Sequence, residues 1–160
     1  MIKIIFHEDS DSVDVKLAVQ EYQKIWDTEG SKIVSAWEDK TGLKFRETFI
    51  NAIILEGRGQ SHPLCFRASL TSDAKKATLV HEMGHRILRK RIKLPEFNSL
   101  ENHKNLDLCF YDVLTELYGK TFADLTVESE SKHALYKDAW DWALSFSKDE
   151  RQKKFRDLLG

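Results

Sequence analysis

Strand-like patterning ends near residue 70 of this 160-residue chain, and the remainder reads as helix. "MIKIIFH" alternates, with Ile2, Ile4 and Phe6 on one side, and predicts a strand. "LKF" predicts a short strand piece, and "TFINAIILEG" a longer one that ends at Gly57. The nearly continuous apolar run of the second suits a strand buried on both faces. "HPLCFRASL" sets Leu64, Phe66 and Ala68 against Cys65, Arg67 and Ser69. Pro63 at its start favours an edge strand, because proline cannot donate to a ladder. Between the first two runs, Val15, Ala18, Tyr22, Ile25 and Trp26 recur at helical spacing, then Ile33 and Trp37. This predicts a helix over 12–41 with a candidate break at Gly30 and a C-cap at Gly42.

The second half carries helical patterns over 73–91, 106–119, 122–146 and 148–159. "TSD" offers N-caps for the first of them, and "KLPEFNS" ends it and begins a loop. Strands early and helices late argue for an α+β fold. The length suits one domain, 1–160, with a small twisted sheet and a central helix over 1–94 and a helical part over 95–160.

Charge narrows the partners. The 25 basic and 26 acidic residues nearly cancel, so neither nucleic acid nor an acidic membrane surface is expected. No stretch approaches a membrane span, and "MIKIIFHEDS" is too short in apolar residues for a signal peptide. The two cysteines, Cys65 and Cys109, sit inside apolar runs and read as buried thiols of a reducing compartment. A soluble, cytoplasmic protein is the expectation.

The chemistry gathers in "TLVHEMGHRIL", residues 78–88, which fits HExxH through His81, Glu82 and His85. On a helix, residues four apart share a face, so two imidazoles so placed can hold one Zn2+ ion. A carboxylate beside the first ligand can take a proton from a water that the metal acidifies. Ala77, Val80, Met83, Ile87 and Leu88 surround the motif with apolar side chains, which predicts a buried turn. Two histidines buried there without partners would be costly.

His81-Glu82-Met83-Gly84-His85 resembles the active-site helix of zincin metallopeptidases. The likeness covers about residues 43–119, where strand, edge strand and HExxH helix follow in the zincin order. It implies a zincin-like fold, a zinc-dependent peptidase or related amide hydrolase, and Glu82 as general base. It also implies an extended peptide or protein substrate adding to the edge strand at Leu64, Cys65, Phe66, Arg67 and Ala68. The metzincin subclass is excluded, since Leu88 and Arg91 stand where its glycine and third histidine belong. The chain is more similar to a minimal gluzincin, although "NExxSD" and "GxMEN" are absent.

Gluzincins take a third ligand from a later helix, and "LDLCFYDVLTELYG" supplies Asp107, Asp112 and Glu116. Asp112 and Glu116 are four apart and share a face. The resemblance and the longer reach of glutamate favour Glu116 as the ligand, with Asp112 as an alternative ligand or a hydrogen-bond partner of a ligating histidine. His103, read as lying in the loop "SLENHKN", is a candidate oxyanion stabiliser, as are Tyr111 and Tyr118, and is the next candidate ligand after Glu116 and Asp112. His62 could flank the cleft, and His7 and His133 belong to no constellation. "RKRIK", residues 89–93, complements a helix dipole. A different reading is a zinc-binding regulatory or interaction module that keeps the fold with little or no turnover. The intact Glu82 argues for hydrolysis, because a purely structural zinc site needs no base.

Overall fold

The computed structural model describes residues 2–92 and 100–160. The expected loop "KLPEFNS" and Lys93 of the basic run fall outside these residues. The architecture is α+β, with a three-stranded parallel sheet and six helices among the described residues. The elements run β1 (Lys3–Glu8), α1 (Val13–Thr41), β2 (Phe49–Leu55), β3 (Leu64–Arg67), α2 (Ser72–Leu88), α3 (Leu100–Tyr118), α4 (Lys120–Glu130), α5 (Ala134–Leu144) and α6 (Lys148–Leu159). The chain divides into two compact units, one of residues 1–35 with 44–86, the other of 36–43 with 87–160.

In the first unit the strand order is β1-β2-β3, with Ile4 opposite Ile50 and Ile54 opposite Phe66. Ile50, Ala52 and Ile54 are buried, whereas Phe49 and Asn51 of the same strand are exposed. β2 is therefore covered fully on one face, and the expectation of burial on both faces is corrected. Its apolar run exceeds what the sheet buries. Leu43, Lys44 and Phe45 form no strand, which corrects the second short piece. Three alternating residues beside a helix cap are too few to specify a ladder.

Helix α1 covers the sheet and blunts both its edges. Phe6, Tyr22 and Phe66 form an aromatic cluster, with ring centroids 4.9–6.0 Å apart. Gln23 accepts from the Phe6 N–H at 3.4 Å and donates to Ile4 O at 3.3 Å, and Trp26 Nε1 donates to Ile2 O at 3.2 Å. These side chains take outward backbone groups of β1 that could otherwise pair with another chain. Gly30 does not break α1. A Cβ there would stand 2.8 Å from the Trp26 ring one turn earlier, so the glycine admits the indole. Gly42, at φ +68°, ends the helix in the left-handed conformation.

In the second unit Trp37 stacks on Phe110 and Phe110 on Trp140, at 6.1 and 5.6 Å. Arg151 is buried against Asp112 at 2.8 Å and donates to Phe146 O at 2.9 Å. Two expectations change here. The helix predicted over 122–146 is two helices, α4 and α5, separated at Ser131–His133. The polar run "ESESKH" has no apolar residue to hold a continuous helix to the core. Helix α3 starts at Leu100, six residues before its predicted start, so His103 lies on a helix and not in a loop. Helix α6 opens with a reciprocal capping box between Ser147 and Glu150.

Candidate metal centre on helix α2

Thr71 starts α2 by accepting from the Ala74 N–H at 3.3 Å. Val80, Met83, Ile87 and Leu88 are buried, which fixes the helix and aims its polar turn. His81 and His85 then stand one above the other. Their ring centroids are 4.8 Å apart with planes at 64°, and the two Nε2 atoms are 3.0 Å apart. His81 is buried and His85 half-buried.

That separation has two physical readings. Neutral imidazoles can share an N–H···N hydrogen bond at this distance. Two nitrogens bound to one zinc ion at about 2.0–2.1 Å, with a tetrahedral angle between them, stand about 3.3 Å apart. Closure of the gap to a few tenths of an ångström of the second value means that little ring movement separates the two states. His103 is itself buried, with its ring 4.7 Å from that of Tyr136.

Glu82, between the two histidines in sequence, is 7% exposed. A Cβ placed on Gly59 would stand 3.6 Å from its Oε1 and 3.4 Å from Cys65 O. The carboxylate therefore faces the loop that leads into β3. Burial pushes the Cys65 thiol up; its Gln60 hydrogen bond opposes this, and the charges of Glu82 and Asp9 add to it. Cys65 is thus a protonated, weakly nucleophilic thiol at neutral pH.

The expected carboxylates have other partners. Glu116 is ion-paired with Lys40 and its side chain is 44% exposed, while Asp112 is buried against Arg151. Tyr111 Oη donates to Asp124 Oδ1 at 2.7 Å, and Tyr118 packs on Phe122. His7 contacts Asn51 Oδ1 at 2.8 Å, His62 contacts Ser61 Oγ at 3.2 Å, and His133 is the N-cap residue of α5. Sequence reasoning singled out His103 as an oxyanion stabiliser and, after Glu116 and Asp112, as the next candidate ligand. The signal it lacked was that the polar segment around His103 is buried.

β3 is an edge strand, and Leu64, Cys65, Phe66 and Ala68 are all buried. Its outward backbone is engaged within the first unit. Gln60 forms an antiparallel bridge to Cys65, and Tyr22 Oη donates to Arg67 O at 3.0 Å. No helix among the described residues is long and apolar enough to cross a membrane. Both cysteines are free and buried.

Comparison with protein-family models, with curated proteins and with solved structures finds no match to this chain.

Proposed function

We propose that the chain is a zinc-dependent peptidase or related amide hydrolase of zincin-like fold, with the ion held by His81, His85 and a third side chain, for which His103 is the candidate left once Glu116 and Asp112 are paired with Lys40 and Arg151. The observation that carries this reading is the 3.0 Å approach of the two Nε2 atoms on an HExxH helix. Three neutral imidazoles are a donor set of catalytic zinc sites, and they leave a fourth position for water or substrate. Zinc so held would supply Lewis acidity toward a carbonyl and a water.

The chain's own residues do the rest. His81 and His85 present nitrogens from one helix face, which fixes their spacing before any ion arrives. Glu82 takes the proton of the attacking water and returns it to the leaving amine. Its burial limits competing solvent. The fold kinship with zincins is supported by the order of strand, edge strand and HExxH helix. An extended peptide is the substrate class this order suits. The two buried free thiols fit a reducing, cytoplasmic setting.

The test is Glu82→Gln in the zinc-loaded protein, assayed on a peptide library. Zinc content should be unchanged and turnover should fall by about 10²–10⁴-fold. Equal turnover in both proteins rejects Glu82 as the base. A second reading, a zinc-binding interaction module with little turnover, is favoured by one observation: the β3 edge at Cys65 is engaged by Gln60.

A further inference from the structure

The outer edge of β3 holds a segment of its own chain. The bond from Ala68 N–H to Leu55 O, 2.9 Å, shows which residues face β2: Leu64, Phe66 and Ala68. In a parallel pair the alternate residues face away, so Cys65 and Arg67 present their backbone outward. Gln60 N–H donates to Cys65 O at 3.0 Å, and Cys65 N–H donates to Gln60 O at 2.8 Å. An added peptide strand would use the same two groups of Cys65.

This segment is held at both sides of Gln60. The Gln60 side-chain Nε2 donates to Cys65 Sγ at 3.8 Å. Ser61 O accepts from Arg86, whose guanidinium is also paired with Glu47 at 2.9 Å. On the other side, Gly59 lies against the Glu82 carboxylate. Yet the pairing is a single isolated bridge, and Arg58 and Gln60 are exposed. The hold is local, and solvent reaches it from outside.

We propose that residues 58–61 are a resident strap, which occupies the edge where an extended substrate peptide adds and must leave before the peptide binds. The inference rests on the peptidase reading above. Gln60 takes the backbone place of one peptide residue, and Gly59 covers the base. Removal of the strap frees the Cys65 amide and carbonyl and opens Glu82 in the same movement.

The experiment uses the full zinc-loaded chain and two probes, acetohydroxamate and a tripeptide hydroxamate, titrated by calorimetry. Gln60→Pro removes the N–H that Cys65 O accepts, and Arg86→Gln releases Ser61 O. The tripeptide compound should bind each variant about ten-fold tighter than wild type, the worth of one to two hydrogen bonds no longer in competition. Acetohydroxamate, which has no peptide to pair, should bind wild type and Gln60→Pro alike. In the wild type, hydrogen exchange gives a readout free of any folding defect in the variants. Binding of the tripeptide compound should expose the Gln60 amide while the Cys65 amide stays protected. Acetohydroxamate binding with equal tripeptide affinity in all proteins, or a Gln60 amide still protected in the complex, overturns the strap alone. Failure of acetohydroxamate to bind any of them sinks the zinc reading, and the strap with it.

Discussion

His81 Nε2 and His85 Nε2 lie 3.0 Å apart on successive turns of α2. A shared proton or one cation can bridge these two nitrogens.

The third ligand separates His103 from Glu116. His103→Ala should lower zinc affinity by more than about 100-fold, beyond what loss of a group that merely orients a ligand produces. Glu116→Ala should change it by much less than about 10-fold, because its carboxylate is paired with Lys40 and half exposed. Competition with a chromophoric chelator measures both. The reverse order would restore the glutamate that the gluzincin resemblance implies.

Asp112 acts on stability. Its pair with Arg151 has side chains only 9% and 7% exposed, so Asp112→Ala strands a buried guanidinium. The loss should be about 3–5 kcal/mol in urea unfolding. Arg151→Met together with Asp112→Leu should recover most of it, since neither charge is then left alone. If Asp112→Ala unfolds at the wild-type urea midpoint, the pair is not the contact described.

Asp107 is buried on α3, and its Oδ1 has no hydrogen-bond partner. Burial first, and the Glu130 charge second, raise its pKa well above the ordinary carboxylate value. The folded state then keeps a proton that the unfolded chain releases. Below the ordinary carboxylate pKa both states are protonated and nothing is lost. As the pH rises past it, the unfolded state ionises first and the folded state loses relative stability, at about 1.4 kcal/mol for each unit of the shift. Asp107→Asn removes this term, so its advantage over wild type should grow from about pH 4 towards neutrality. Thermal midpoints of both proteins across that range test it; a constant difference would mean that Asp107 does not titrate in this way.

The fold was legible where patterning and punctuation agreed. Ile2, Ile4 and Phe6 alternate into β1, Gly42 marks the expected end of α1, and α6 covers the predicted 148–159. The HExxH spacing placed His81 and His85 on one helix face, because four residues make about one turn. Reading failed where the deciding partner is remote. Nothing local in "YDVLTE" tells that Asp112 meets Arg151, 39 residues on, or that Glu116 meets Lys40, 76 residues back. Asn102, His103 and Asn105 look like solvated loop residues, yet all three are buried on α3. Gly30 resembles a helix break and instead makes room for the Trp26 ring. Burial of polar groups and side-chain packing are tertiary facts, and hydropathy periodicity carries neither.

X-ray absorption at the zinc edge, on protein purified without added metal, tests the central claim most directly. The account predicts about one zinc per chain, with three imidazole nitrogens at about 2.0–2.1 Å and one oxygen completing the shell. A zinc-free protein, or a shell with sulfur at about 2.3 Å that would bring in Cys65, would contradict it.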